Sequence, residues 1–409
     1  MASVTVEELD WAEQPLGEIE FPKERLNLAA GFGSGLATQP GAPSAGVWAI
    51  ADRGPNLKIK DACGRYGWTA PDEWREVEGA KLMPRPDLGP ALARLVVEGK
   101  SVRVERTIRL RDGGGRPVSG LPIPESGHAE CEPVLGLDGR HLEPDSSGMD
   151  TEGLALLEDG SFWAGEEYGP SLVRISSDGE ILMRLVPQGV ELPKADYPVR
   201  PSLPALAAKR HLNRGFEAVA ASPSNERLYL VFQSPLAHPT HEEHLQARHV
   251  RLWELDAAGG VLAQYLYPLD DPQSFRRDNA ERRIERSDLK VCEILATTER
   301  ELLVLERATD TCKIYRVEVA PDLALPAEHL EVETRPTVEQ LSCAGADLPA
   351  LSKELLFTSD DWPQVGADIE GLALLDSSTL LLASDNDFGC EGKQTRFYRL
   401  TFAEELLRG

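Results

Sequence analysis

The 409-residue sequence predicts an all-β chain, a β-propeller whose four-stranded antiparallel blades surround a central channel. Three observations predict it. A segment with one acid ahead of a short apolar run recurs four times, a degenerate copy precedes these, and no stretch carries a sustained helical period.

The four copies are Asp150-Thr-Glu-Gly-Leu-Ala-Leu-Leu, Arg214-Gly-Phe-Glu-Ala-Val-Ala-Ala, Lys290-Val-Cys-Glu-Ile-Leu-Ala-Thr and Asp368-Ile-Glu-Gly-Leu-Ala-Leu-Leu. They align Glu152, Glu217, Glu293 and Glu370. A polar turn follows each run. A second apolar strand then ends in polar residues: Phe162 to Tyr168, Leu228 to Ser234, Leu302 to Arg307, and Leu380 to Asn386. From leading acid to closing polar residue the offsets are 15, 16, 13 and 15 (152 to 167, 217 to 233, 293 to 306, 370 to 385). Such spacing fits a hairpin of two short strands. The degenerate copy is Gly31-Phe-Gly-Ser-Gly-Leu-Ala followed by Val47-Trp-Ala-Ile-Ala-Asp-Arg-Gly-Pro.

Amphipathic outer strands come next in each unit: Leu172 to Ile175, Val250 to Leu255, Lys313 to Val319 and Arg396 to Leu400. Leu95 to Glu98 and Val102 to Leu110 read as outer strands of the first unit, although the interval from Ser34 to Glu152 leaves room for another blade. The expectation is therefore five repeats with six blades open, in one domain over 31–409. Residues 1–30 form an N-terminal segment, and a strand around Glu18 to Phe21 is expected to close the last blade, because closure removes exposed sheet edges.

The net charge of −25 repels phosphate backbones, which argues against nucleic acid as a partner. The same field attracts divalent cations or cationic ligands, and it also serves solubility. No run approaches the roughly 18 apolar residues of a membrane span. Met1 to Leu16 shows neither a basic nor an apolar leader region, so the default location is cytoplasmic, and periplasmic or secreted only if a leader has been removed. The six cysteines include no C-x-x-C pair and are expected to be free thiols.

Start and end of an antiparallel hairpin lie side by side, so radial repetition carries every acid pair to one rim of the channel. The predicted crown is Asp52, Glu152, Glu167, Glu217, Glu293, Glu306, Glu370 and Asp385, with Asp150 and Asp368 behind. So many carboxylates raise one another's pKa or recruit a cation. An oxygen-rich ligand set favours Ca²⁺, then Mg²⁺, over zinc. Arg53, Arg214 and Arg307 occupy matching loop positions, suited to neutralising the ring or to anchoring an anion. The competing reading is that acids at strand ends only brace neighbouring blades.

The run His238-Pro-Thr-His-Glu-Glu-His244 is one residue short of the metalloprotease H-E-x-x-H and reads as a solvated loop over the top face. No G-x-S-x-G occurs, and Gly31-Phe-Gly-Ser lacks the third glycine of a dinucleotide fingerprint.

Taken together, Ile50-Ala-Asp-Arg-Gly-Pro, Asp150-Thr-Glu-Gly-Leu, Trp163-Ala-Gly-Glu-Glu-Tyr-Gly-Pro, Arg214-Gly-Phe-Glu-Ala-Val, Leu305-Glu-Arg, Asp368-Ile-Glu-Gly-Leu and Ser384-Asp-Asn-Asp resemble the phytase-like family, also described as esterase-like activity of phytase. The resemblance runs from Gly31 to Phe402. It implies a propeller, metal dependence and hydrolysis of an ester or phosphoester, often in exported bacterial proteins. The expected reaction is metal-dependent hydrolysis of a small anionic phosphate or carboxylate ester. Glu152, Glu167, Glu217 and Glu370 would act as ligands or general base, and Arg53, Arg214, Arg307 and Asn386 would hold the anion. The alternatives are a non-catalytic propeller that binds a cation, sugar or peptide, and an isomerase or lactonase on a small oxygenated substrate.

Overall fold

A computed structural model describes residues 3–39, 46–126 and 130–407. Strands dominate, and the α-helices among the described residues are six residues long each. Five sheets of four or five strands follow one another along the chain. Their innermost strands are Gly35–Ala37, Thr151–Leu156, Phe216–Ala221, Lys290–Ala296 and Ile369–Asp376. Each pairs antiparallel with the next strand of its own sheet, and the remaining strands continue outward. In the second sheet a fifth strand, Val199–Leu203, joins parallel at the edge.

Each inner strand packs against the inner strand of the next sheet, and the fifth packs against the first. The inner strands of the second and third sheets are buried along their whole length, because they have protein on both faces. Outermost strands alternate instead, as in Ser101–Arg109, where Val102 and Ile108 are buried and Arg103 and Arg109 exposed. Contact between sheets is close enough to require glycine. A Cβ on Gly35 would lie 2.2 Å from the Glu152 carbonyl oxygen, and one on Gly153 would lie 2.4 Å from Ala218 Cα. The far ends of all five inner strands line one apolar cavity of about 170 Å³ that includes Leu36, Leu154, Val219, Ile294 and Leu372.

The last sheet is completed by Val4–Leu9, which runs antiparallel to Phe397–Phe402 with Val4 facing Phe402 and Leu9 facing Phe397. The strand expected in this role, around Glu18 to Phe21, pairs instead within a local hairpin, Pro15–Glu20 with Arg25–Ala29. Val4 and Val6 pack against the core that contains Leu400 and Phe402 of the terminal strand.

The interval before Glu152 adds no further four-stranded sheet among the described residues. Ala91–Glu98 and Ser101–Arg109 are outer strands of the first sheet. The rest builds a small cap. Its three-stranded sheet joins Leu57–Lys58, Lys81–Leu82 and Val134–Leu135, and beside it sit the local hairpin and the helix Ile59–Gly64. The cap has its own core of Phe21, Leu26, Leu28, Tyr66, Trp68 and Leu82.

Candidate functional site

In four sheets the hydrogen-bond register slips by one residue at the start of the inner strand. The slip lies between Thr151 and Leu154, Phe216 and Ala218, Val291 and Glu293, and Ile369 and Gly371. Such bulges turn an extra side chain out of the ladder and re-aim it. The extra residue is Glu217 in the third sheet, Cys292 in the fourth and Glu370 in the fifth, and in the second it falls at Glu152-Gly153. Hence Cys292, not Glu293, is the fourth sheet's counterpart of the other acids. Ligand atoms of Glu217, Cys292 and Glu370 lie within 4.8 Å of one another, as do those of Asp150, Glu152 and Glu167.

The second group is the more acidic. Asp150 is fully buried, and Oδ2 stands 3.1 Å from Arg53 Nη1 while Oδ1 accepts from Arg53 N at 3.1 Å. Arg53 is divided among several partners, since its guanidinium also meets Glu132 and Asn213 and lies over the Tyr168 ring. Glu167 Oε1 accepts from Gly215 N at 3.0 Å. The Glu152 carboxyl, on a residue 9% exposed, meets no donor among the described residues. Burial raises its pKa well above the usual carboxylate range, with repulsion from Asp150, Glu217 and Glu167 adding to the shift. Burial likewise raises Asp150, against the pull of Arg53. Asp52 is pushed up to about 7, by burial first, with Arg53 opposing and Asp387 and Glu370 adding repulsion.

Cations crowd the other group. Arg307 donates to Glu370, to Asp368 at 3.1 Å and to Cys292 Sγ at 3.2 Å, so a guanidinium already sits where a metal ion would. Glu217 takes the Gln233 amide on Oε1, while Oε2 is buried with no donor. Burial, then repulsion from Glu167 and Glu370, raises Glu217 to about 8. Lys290 and Arg214 lie nearby, and burial lowers the pKa of both. A cavity of about 220 Å³ opens between this face and the cap. Lys290, Arg307 and Glu370 line it from the sheets, Asp385 and Asp387 from the turn after the strand Thr379–Ser384, and Lys58 and Lys81 from the cap. Burial and the neighbouring Asp387 and Glu370 raise the pKa of Asp385.

Three predicted residues are not brought to this opening. Glu306 turns to the opposite face of its strand, accepting from Tyr267 at 2.7 Å, Lys353 at 2.6 Å and Asp270 N at 2.7 Å. Side chains alternate along a strand, so its neighbour Arg307 faces the opening instead. Glu293 reaches across to the first sheet and accepts from Leu36 N at 3.0 Å. The Asn386 side chain is occupied by Ala30 O, Glu13 and Phe388 N. Lys290, Cys292 and the cap lysines went unrecognised. The signal for Cys292 was the discordant offset of 13, since Cys292 to Arg307 restores 15.

The histidine run is a short helix, His241–Gln246, with a capping box from Thr240 and Glu243. It is not a solvated loop throughout: His244 is buried, 2.8 Å from Pro235 O, and its ring stacks on His211 at 4.2 Å. All six cysteines are free.

Among solved structures the chain is similar to the calcium-binding protein regucalcin from Agrobacterium tumefaciens, at 12% identity and TM-score 0.36, covering 98% of this chain and 100% of that one. It is also similar to virginiamycin B lyase from Staphylococcus aureus, at 11% identity and TM-score 0.32, covering 98% and 100%. These likenesses are too distant to carry an argument. A secreted uncharacterized protein of Arthroderma benhamiae is 25% identical over an alignment of 263 positions that covers 56% of this chain and 49% of that relative, so the match spans about half of the relative's length. The family model for esterase-like activity of phytase matches residues 29–388, and the chain belongs to this phytase-like family.

Proposed function

We propose that the five sheets are blades of a closed propeller, and that the acidic end of its channel hydrolyses phosphate or carboxylate esters with a divalent cation. The observation that carries this reading is the trio Asp150, Glu152 and Glu167, whose oxygens lie within 4.8 Å of one another while Glu152 meets no donor among the described residues. A buried carboxylate without a partner is costly, and a cation relieves that cost. The oxygen-only donor set fits Ca²⁺ better than zinc, and Mg²⁺ less well because it demands stricter geometry.

Asp150, Glu152 and Glu167 would hold the ion. A bound divalent cation polarises an ester oxygen and lowers the pKa of a water molecule. Glu217, raised to about 8, keeps its proton at neutral pH and is suited to protonate the leaving oxygen. Asp52, at about 7, is matched to taking a proton near neutrality. Arg307 holds Glu370 in place and, with Arg214, faces the substrate's anionic group.

The second reading is a propeller that only binds, because Arg53 and Arg307 already answer part of the acidic ring. Metal analysis together with hydrolysis of nitrophenyl phosphate and nitrophenyl acetate separates the two. Bound metal and turnover that is lost on chelation support the hydrolase. Absence of both favours the binding propeller.

A further inference from the structure

We propose that Arg214 and Lys290 together form a seat for an oxyanion, the phosphate or carboxylate group of a ligand that enters the cavity between cap and sheets. The assignment of that anion to a substrate rests on the hydrolase reading; the seat itself does not.

The case begins with which cations have partners. Lys290 opens the inner strand of the fourth sheet and lines the cavity. Among the described residues it forms no ion pair and no side-chain hydrogen bond. Arg214 stands just ahead of the inner strand of the third sheet. Its Nη1 is shielded from solvent without an acceptor, and Nη2 reaches only the Ser287 carbonyl oxygen, at 3.5 Å. Apart from Lys58, an exposed residue on the cap, the other cations lining or facing this space are answered. Arg307 has Asp368 and Glu370, Lys393 has Asp368 and Asp387, and Arg53 has Asp150 and Glu132. On the cap side, Lys81 bonds Asn56 and lies 3.8 Å from Glu132.

Lys290 starts the fourth sheet's inner strand and Arg214 stands two residues before the start of the third sheet's, and these two strands pack together. Like charges in a partly dry site repel, and each lowers the other's affinity for a proton. Arg307 and Arg214 depress Lys290 after burial does. An oxyanion removes that repulsion and supplies the acceptor that Arg214 Nη1 lacks. Guanidinium and ammonium act in complementary ways here, the first as a planar fork and the second as a rotatable point charge. Glu370 and Asp385 line the same cavity and exclude a second anionic group from their side. A ligand that is anionic at one end and neutral at the other therefore fits best.

The test is calorimetric titration of the full chain with inorganic phosphate and, separately, acetate, with chelator and again with Ca²⁺. The proposal expects saturable binding of one of these anions without metal, weakened at least about tenfold in both Arg214→Gln and Lys290→Met. Tighter phosphate binding assigns the seat to phosphoesters, and tighter acetate binding assigns it to carboxylates. No binding of either anion, or unchanged binding in both variants, overturns it. The unmodified protein gives a second readout. Trace acetylation near neutral pH should label Lys290 faster than exposed Lys100, and the bound anion should slow it. Labelling of Lys290 that neither anion slows overturns the proposal. Anion binding without any ester turnover would sink the hydrolase reading and leave the seat standing.

Discussion

Arg307 Nε lies 3.2 Å from the sulfur of Cys292, so the fourth sheet presents a thiol and a guanidinium where the third presents Glu217 and Gln233 and the fifth Glu370 and Asp385. This one pair makes the ring electrically lopsided. Around Glu152, among the described residues, Arg53 alone answers the acids through Asp150, whereas Lys290 stands among other cations.

Adjacent residues on that strand should behave oppositely. Arg307→Met strips Glu370 and Asp368 of their shared cation and should lower ester turnover by about 100-fold or more. Glu306→Gln disturbs only the contacts with Tyr267, Lys353 and Asp270, so it should cost about 1–3 kcal/mol of stability and leave turnover within a few-fold. Steady-state kinetics and thermal melts on the two variants check this. A turnover loss confined to Glu306→Gln would reverse the assignment.

Glu293 binds the first sheet to the fourth through Leu36 N and also accepts from Ile294 N at 3.1 Å. Glu293→Ala leaves buried donors unmet and should destabilise the chain by about 2–4 kcal/mol. Urea denaturation reads this directly, and a midpoint equal to wild type would show that the contact contributes nothing.

Glu166 and Arg184 form an ion pair at 2.7 Å with both side chains fully buried, and Ser171 and two backbone amides complete the carboxylate. Arg184→Met should cost about 3–5 kcal/mol because it strands the carboxylate. The double variant with Glu166→Gln should recover part of that loss. Equal stability of the single and double variants would contradict the coupling.

Stability of the metal-free chain should fall above pH 6.5. Burial raises Asp52 to about 7 and Glu217 to about 8 in the fold, from 3.8 and 4.5. The folded chain therefore holds more protons than the unfolded one, and stability falls as pH rises from 6.5 to 8. Each group contributes at most about 1.4 kcal/mol per pH unit. Around Glu217 stand Glu167, Glu370, Lys290 and Gln233, and around Asp52 stand Arg53, Asp387 and Glu370. Lys290, lowered by burial, works in the opposite direction toward alkaline pH. Below 6.5 the histidines offset that slope. Burial lowers His211 to about 4 and His244 to about 3, so the unfolded chain takes up protons first. Melts from pH 5 to 8 in chelator test this, and a steady rise in stability across 6.5–8 would contradict it.

The sheets were legible because each inner strand repeats one apolar run behind one polar position. The first sheet's outer strands were read from alternation alone. Register was harder. In the fourth repeat a glutamate beside Cys292 drew the alignment one place off, and the period of two then sent Glu293 and Glu306 to the wrong faces. The cap escaped notice because its strands are two residues long and its segments lie far apart in the chain. Asn386 looked available because sequence does not reveal a turn that consumes its amide.

The most direct test of the account is calorimetric titration of Ca²⁺ into wild type and Glu152→Gln at pH 8. The account predicts saturable binding by wild type, weakened at least about tenfold in the variant. Equal binding by both proteins, or none by wild type, would contradict it.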